Sequence, residues 1–231
     1  MPDEAKNELI ETQDGSHSLL SHQFGVSYHS KYGAVQESRH VFINAGLKAR
    51  MLLDDRPLRI LEFGFGTGLN ALLSYQMAEE LGRPIHYEGM EAYPVSLDFV
   101  DQLNYPQETG MEAQFFRQLH TLEWGETHEM SQHFTFRKVN MPFEDMTYDS
   151  EFDIIFFDAF APNAQAELWE APLLSKAYKA LRPSGYLVTY CAKGVVKRTL
   201  KAIGFRVDTL PGPPGKREMT RGAKPASPSS S

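Results

Sequence analysis

Short apolar runs of strand length alternate along the chain with segments whose apolar residues recur at helical spacing. The runs predict strands at 59–63, 84–91, 133–139, 152–157, 186–191, 205–210 and 218–222. The helical segments are 69–81, 95–103, 112–119, 168–181 and 195–203. This alternation predicts an α/β fold of the doubly wound, Rossmann-like type, with a mostly parallel seven-stranded sheet. A Pro/Gly loop joins the last two strands, so we expect one antiparallel strand.

The first 50 residues lack this alternation and predict a small N-terminal β extension packed on the core. Residues 1–20 are polar and suggest a loosely held arm with one early strand. Residues 24–47 have the pattern of short strands, with turns at Gly33 and Gly46. The tail Pro-Ala-Ser-Pro-Ser-Ser-Ser has the composition of a disordered segment. The predicted parts are an extension (1–50), a main domain (51–224) and a tail (225–231).

One predicted strand joins its helix through a glycine-rich turn, Leu-Glu-Phe-Gly-Phe-Gly-Thr-Gly-Leu-Asn at 61–70. Glycines let the backbone approach a ligand, and the free N–H groups of a helix start attract a negative group. The spacing is G-x-G-x-G, not the G-x-G-x-x-G of dinucleotide-binding turns, and Glu62 precedes the first glycine. This combination suits S-adenosylmethionine (SAM), whose amino-acid end carries an ammonium and a carboxylate. The alternative is a tight strand–helix connection without a ligand.

Polar side chains stand at the ends of four predicted strands, where ligands bind in doubly wound sheets. Glu62 and the glycines would face the methionine end of SAM. Glu91 can accept hydrogen bonds from both ribose hydroxyls, and the amide oxygen of Asn140 can accept one from the adenine amino group. Asp158 ends the fourth strand, over the expected place of the methyl group. A solvated acid in a turn is the alternative interpretation of Glu91.

The loop Asp158-Ala-Phe-Ala-Pro162 resembles the N/D-P-P-Y/F loop of amino-methyltransferases, in which an acceptor holds an amine and an aromatic ring packs on the target base. It predicts methyl transfer to nitrogen by in-line displacement, for which positioning is most of the catalysis. A carboxylate favours the protonated form of an amine. Asp158 could therefore act as a base or only orient the amine, and the sequence leaves both roles open. A buried Asp that caps a loop is the structural alternative.

Charge is unevenly distributed along the chain. The whole chain carries −7, but residues 193–231 hold nine basic and two acidic residues and carry +7, which leaves −14 on residues 1–192. A basic end can bind a phosphate backbone, although a solvated surface is commoner. Cys191 is the only cysteine, which excludes an internal disulfide and a cysteine-rich zinc site. The sequence shows no signal peptide and no long apolar run, so we expect a cytoplasmic protein without metal or membrane contact.

Several motifs resemble the MnmD family, the stand-alone counterpart of the methyltransferase domain of MnmC. They lie at 61–72, 152–162, 167–169 (Glu-Leu-Trp), 189–194 (Thr-Tyr-Cys-Ala-Lys-Gly), 212–219 (Gly-Pro-Pro-Gly-Lys-Arg-Glu-Met) and, in the extension, 36–43 (Gln-Glu-Ser-Arg-His-Val-Phe-Ile). The resemblance implies methylation of the 5-aminomethyl group on the wobble uridine of tRNA, often 2-thiolated, to give 5-methylaminomethyl-2-thiouridine. In MnmC an FAD-dependent oxidase domain makes the aminomethyl substrate. Because the chain ends at Ser231, we expect methyl transfer alone, with SAM and without FAD.

The resemblance also assigns residues to roles. It gives Gly64, Gly66, Gly68 and Glu91 to SAM, and with the residues of the turn and the strand ends the expected SAM site is Glu62, Gly64, Phe65, Gly66, Gly68, Asn70, Glu91, Asn140 and Asp158. Asp158 and Phe160 would meet the nucleoside as catalytic residues. Asn140 stands where Asp would be commoner in this fold. The expected contacts with phosphates of the tRNA anticodon stem-loop, which predict salt-dependent binding, are Lys193, Lys197, Arg198, Lys216 and Arg217.

Three other functions are compatible with the sequence: a methyltransferase of a small-molecule or protein amine, an aminopropyltransferase of the spermidine-synthase type, and a non-catalytic SAM- or RNA-binding module. The basic C-terminal segment disfavours the first, and Glu91 and Asp158 disfavour the third. An aminopropyltransferase would differ in binding decarboxylated SAM. The tRNA isoacceptors, the need for 2-thiolation and the oligomeric state, which could be monomeric, are left open.

Overall fold

The computed structural model describes residues 7–227, which contain one small and one large β-sheet. The small sheet is antiparallel and consists of β1 (Glu8–Glu11), β2 (His17–Ser21) and β3 (Val26–Ser27). The large sheet contains β4 (Leu58–Phe63), β5 (Ile85–Met90), β6 (Thr127–Ser131), β7 (Phe134–Val139), β8 (Phe152–Phe157), β9 (Leu181–Thr189), β10 (Arg206–Pro211) and β11 (Glu218–Ala223). Its strand order is β10-β11-β9-β8-β4-β5-β7-β6.

The centre of the large sheet is parallel, from β9 through β8, β4 and β5 to β7. This confirms the predicted α/β fold with a mostly parallel sheet. The predicted strand count needs correction, because the sheet has eight strands and not seven. Two strands run against the others: β11 is antiparallel to β9 and β10, as expected, and β6 is antiparallel to β7. The edge strand β6 was missed because its sequence, Thr-His-Glu-Met-Ser, is polar and largely solvent-accessible.

Helices cover both faces of the large sheet. One face carries α1 (Ala34–Ser38), a π-helical stretch (Arg39–Lys48), α2 (Ala49–Met51), α3 (Leu69–Leu81), α4 (Leu97–Val100), α5 (Tyr105–Thr109) and α6 (Ala113–Thr121). The other face carries α7 (Ala171–Ala180) and α8 (Gly194–Ile203). Successive side chains of β8 point to opposite faces of the sheet. Ile154 and Phe156 pack on the face that carries α1 to α6, and Ile155 and Phe157 pack on the face that carries α7 and α8. The alternation of β8 thus explains why its sequence is continuously apolar.

The prediction of short strands over 24–47 is wrong for most of that segment. Only Val26–Ser27 pairs as a strand, and residues 34–51, hereafter the N-terminal helix, are helical throughout. The β-branched and aromatic residues that suggested strands lie buried against the sheet. Gly46 does not form a turn: a Cβ there would lie 2.9 Å from the Val188 side chain, so glycine lets the helix backbone approach the sheet closely.

An ion-pair network joins the N-terminal helix to the start of β8. Arg50 is 1% exposed, and its Nη2 lies 3.4 Å from Oδ1 of the equally buried Asp153. The same carboxylate accepts hydrogen bonds from the Arg59 backbone N–H at 2.9 Å and from Arg182 Nη1 at 3.1 Å. The helix is continuous across residue 50, where the sequence predicts a domain boundary.

Residues 1–6 and 228–231 lie outside the described part of the chain, and with them the start of the predicted arm and most of the predicted disordered tail. The rest of the first 20 residues forms two strands, one more than expected. Within residues 7–227, no helix combines the length and apolar character that a membrane crossing requires.

Candidate active site

A cleft opens where β4, β5 and β8 end. Its volume is about 1050 Å³, including the part open to solvent. The glycine turn, the segment after β5 and the loop after β8 form its walls, together with residues 24–29 of the extension. The carboxyl ends of parallel strands are the usual ligand site of such a sheet, so the cleft is the candidate active site.

The glycine turn brings its backbone to the cleft surface. Gly64 and Gly66 have φ angles of +89° and +49°, in the region that favours glycine. A Cβ on Gly64 would lie 2.9 Å from the carbonyl oxygen of Asp158, so the turn and the loop after β8 touch through backbone atoms. Gly68 caps the start of α3. The Phe65 ring is buried, packing on His120 and Phe136, and supports the turn from the core.

Asn70 bridges two carboxyl groups at the floor of the cleft. Its Nδ2 donates to Glu62 Oε1 at 2.8 Å and to Asp158 Oδ2 at 2.9 Å. The second oxygen of Glu62 and the amide oxygen of Asn70 are buried and find no hydrogen-bond partner among residues 7–227. Two acids therefore share one amide, and the buried Tyr87 hydroxyl is the neighbouring group that can donate to Glu62.

Burial changes the protonation of both acids. It raises the pKa of Glu62 to about 8. For Asp158, which lines the cleft and is partly accessible from it, burial and then the charge of Glu62 hold the pKa well above its usual range. At neutral pH at least one of the two acids is therefore protonated, and the pair can exchange a proton with a ligand.

Glu91 is held by backbone groups. Its Oε2 accepts from the Gly66 N–H at 2.9 Å and its Oε1 from the Tyr93 N–H at 2.8 Å. Burial raises its pKa, and these N–H groups oppose the rise. Each carboxylate oxygen retains further acceptor capacity toward the cleft. Two of the predicted SAM residues, Gly68 and Asn140, do not line the cleft. Asn140 is exposed and donates to the Glu91 carbonyl at 2.9 Å.

Two side chains fix the loop that follows β8. Trp169 Nε1 donates to the Phe160 carbonyl and the Tyr190 hydroxyl to the Ala159 carbonyl, both at 2.8 Å. The Phe160 ring lines the cleft and contacts Phe24 and Tyr28, with ring centroids 4.8 and 5.0 Å apart. Asp158 and Phe160 are thus brought together, as predicted, and face the glycine turn.

The predicted phosphate contacts do not form one free basic surface. Lys197 Nζ lies 2.8 Å from Glu218 Oε2, and Lys216 Nζ lies 2.5 Å from Glu37 Oε2. Lys193 is exposed and donates to Asn163 Oδ1. The two others, Arg198 and Arg217, are exposed. Lys216 contacts side chains beside the cleft, a position that its sequence context did not indicate.

A family model described as S-adenosyl-L-methionine-dependent methyltransferase matches residues 110–225, half of the chain. The chain belongs to this family. The match includes the loop with Asp158 and confirms the predicted SAM-dependent methyltransferase class. No group of three or more His, Cys, Asp or Glu side chains suited to a metal ion occurs in the part of this methyltransferase that the structure describes.

Two relatives are named tRNA 5-methylaminomethyl-2-thiouridine biosynthesis bifunctional protein MnmC. The protein of Acinetobacter baylyi is 28% identical over 92% of this methyltransferase and 36% of its own length. That of Aromatoleum aromaticum is 30% identical over 93% and 35%. The chain thus spans about a third of the length of the curated relatives it matches. These similarities confirm the predicted resemblance to MnmC.

Solved structures agree on the fold of the methyltransferase. MnmC2 from Aquifex aeolicus aligns with a TM-score of 0.77 at 24% identity, over 98% of this chain and 72% of the other. Spermidine synthase from Thermotoga maritima aligns with a TM-score of 0.55 at 12% identity, over 99% and 83%. At these identities the likeness concerns the fold alone.

Sequence reasoning missed aromatic and charged residues at and around the methyltransferase cleft. Phe24, Tyr28 and Tyr93 line the cleft, whereas Trp169, Tyr190 and Glu37 lie behind it and hold Phe160, Ala159 and Lys216. Most of them lie in short loops without periodicity, so only the motif similarity at 36–43, 167–169 and 189–194 could have indicated some of them.

Proposed function

We propose that this methyltransferase transfers the methyl group of SAM to the nitrogen of a 5-aminomethyl group on the wobble uridine of tRNA, with or without 2-thiolation. The product would be 5-methylaminomethyluridine or its 2-thio form. The observation that carries the proposal is the position of Asp158, a carboxyl with a raised pKa that lines the cleft beside the aromatic ring of Phe160. The names of the MnmC relatives support the tRNA substrate.

The residues present fit SAM. The unpartnered buried oxygen of Glu62 can accept a hydrogen bond from the ammonium of its amino-acid end. The backbone of the glycine turn and the start of α3 can receive the carboxylate. Glu91 has spare acceptor capacity for the ribose hydroxyls. The adenine contact of Asn140 stays a prediction, since its side chain lies outside the cleft lining. When bound, SAM supplies an electrophilic methyl group and its own leaving group.

The acceptor amine needs its lone pair free. An alkylamine with a pKa near 10 is protonated at pH 7, and removing that proton costs roughly 4 kcal/mol. An Asp with an ordinary pKa would be a poor acceptor, whereas the raised pKa of Asp158 brings it closer to that of the amine. We therefore assign Asp158 two tasks: its carboxylate orients the ammonium and then takes its proton. Asn70 steadies Asp158 through the 2.9 Å hydrogen bond.

The rest of the loop after β8 positions the substrate. The Ala159 and Phe160 carbonyls are fixed by Tyr190 and Trp169, so the loop backbone is held at defined points. The Phe160 ring would pack on the uracil and keep the aminomethyl group over Asp158. Exposed Lys193, Arg198 and Arg217 would contact the phosphates of the anticodon stem-loop. A tRNA substrate would place the protein in the cytoplasm.

The test is methyl transfer from labelled SAM to tRNA from cells that lack this modification, followed by nucleoside analysis. We expect label in 5-methylaminomethyl(-2-thio)uridine. Asp158→Asn should lower kcat by about 100-fold or more while SAM affinity changes little. The matched control is Asp149→Asn, at an exposed acid that contacts Lys179 and the Ser150 hydroxyl far from the cleft lining, which should behave like wild type. SAM binding without label in tRNA would refute the proposed substrate.

A further inference from the structure

The Lys216 side chain lies against the protein surface beside the cleft and does not extend into solvent. Its Nζ lies 2.5 Å from Oε2 of the buried Glu37 and 4.1 Å from the centre of the Tyr190 ring. Glu37 is held in turn, because its Oε1 accepts from the Ser30 backbone N–H at 3.0 Å. An ammonium in contact with a carboxylate and an aromatic face already has its partners. A phosphate contact by Lys216 would require breaking this arrangement.

The contacts of Lys216 lead to the loop after β8. The Tyr190 ring packs under the Lys216 ammonium, and its hydroxyl donates to the Ala159 carbonyl at 2.8 Å. Ala159 follows Asp158 directly, so Tyr190 holds the backbone next to the carboxyl, whose side chain Asn70 holds. Displacing Lys216 would free Tyr190 to rotate and would loosen this hydrogen bond.

The positive charge of Lys216 also affects the pKa of Asp158. Burial, Glu62 and Glu37 raise the pKa of Asp158, whereas Asn70 and Lys216 lower it. Burial raises the pKa of three nearby phenols, Tyr87, Tyr105 and Tyr190, and the negative charge of Asp158 adds to this rise. Among these groups Lys216 is the only cation, and Glu37 partly neutralises it.

We propose that Lys216 is a positioning residue of the methyltransferase site: packed on Tyr190 and paired with Glu37, it holds the loop that carries Asp158 and balances the charge around that carboxyl. This inference deepens the proposed function and rests on it. It replaces the role in RNA binding that the basic sequence Gly-Lys-Arg-Glu suggested for Lys216. Arg217, the next residue, is exposed and keeps that role.

The first experiment does not need activity. Asp residues are labelled with ¹³C at the carboxyl carbon, the Asp158 signal is assigned by its loss in Asp158→Asn, and its titration is followed by NMR. Lys216→Met should move the Asp158 midpoint to higher pH, because a positive charge is lost. Glu37→Gln should move it to lower pH, because a negative charge is lost and Lys216 is no longer neutralised. The control Lys48→Met, at an exposed lysine of the N-terminal helix, should leave it unchanged.

The second experiment is kinetic, with tRNA as substrate. Lys216→Met should lower kcat about tenfold, move the acid limb of the kcat profile to higher pH, and leave the salt dependence of KM for tRNA unchanged. Lys216→Arg should retain most of the wild-type kcat. Tyr190→Phe should lower kcat as Lys216→Met does, but should move the titration midpoint of Asp158 less than Lys216→Met does. Arg217→Gln should raise KM and reduce the slope of log KM against log salt by about one.

The outcomes separate the two proposals. If wild type fails to methylate tRNA, the proposed function is wrong, and the NMR titration still decides the place of Lys216. If Lys216→Met keeps kcat and the Asp158 titration but reduces the salt slope as Arg217→Gln does, Lys216 is an RNA ligand and the inference is overturned. Opposite displacements of the Asp158 midpoint in the Lys216 and Glu37 variants support it.

Discussion

Glu62 should make the stability of the protein depend on pH in an unusual direction. Its side chain is 1% exposed, and burial raises its pKa from 4.5 to about 8. Between these values the folded protein binds a proton that the unfolded chain releases. The free energy of unfolding therefore falls as the pH rises through this window, opposite to the usual contribution of a paired carboxylate.

The size of the effect follows from the pKa shift. At 1.36 kcal/mol per unit, a shift from 4.5 to about 8 corresponds to at most about 5 kcal/mol, present below pH 4.5 and lost by pH 9. Glu62→Gln removes the titrating group and keeps the shape of the side chain. We expect the variant to be more stable than wild type at pH 9 and similar at pH 5.

Urea unfolding at pH 5, 7 and 9 measures this difference, with the exposed Glu80→Gln as matched control. Asp158 also has a raised pKa, so some dependence in the same direction will persist in Glu62→Gln. Stability curves of wild type and Glu62→Gln that run parallel across this range would refute the raised pKa. As the proposed ligand of a cationic amino-acid end, Glu62 should release a proton when SAM binds near pH 7, and the binding enthalpy should then depend on the buffer. Glu62→Gln should reduce this dependence.

Two further substitutions test the anchor of the N-terminal helix and the glycine turn. Arg50→Met removes a buried partner of Asp153 and should lower the free energy of unfolding, measured in urea, by about 3 kcal/mol. The control Arg56→Met, at a side chain 56% exposed, should change it by under about 1 kcal/mol. Gly66→Ala introduces a Cβ at φ +49°, 3.1 Å from the Tyr28 ring, and should cost about 1 kcal/mol in the same assay. It should also weaken SAM about tenfold or more in a binding titration, and unchanged affinity would place SAM elsewhere.

The sequence was most informative where local pattern and tertiary environment agree. The run Phe152–Phe157 is apolar without interruption because both its faces are buried, and its bounds were predicted without error. The glycine turn and the acids at the strand ends were found because their order follows from the parallel sheet. Gly64, Gly66, Glu62, Glu91 and Asp158 all line one cleft.

Elsewhere tertiary packing overrode local preference. Val41, Phe42 and Ile43 favour strands, yet they lie in a helix because that helix is buried on the sheet. The role of Gly46 depends on contact with Val188, far away in the sequence. The position of Lys216 depends likewise on Glu37, 179 residues away, so no local pattern could separate Lys216 from its exposed neighbour Arg217.

The N-terminal helix is tied to both ends of β8. Near its end Arg50 holds Asp153 at the start of the strand, and near its beginning Glu37 pairs with Lys216, which packs on the Tyr190 ring next to the loop that follows the strand. Deleting one residue between the two ties would turn one relative to the other by roughly a quarter of a turn about the helix axis. The segment can therefore vary in residue type more readily than in length, and homologous chains should preserve the 13-residue spacing between these positions even where the residues themselves have diverged.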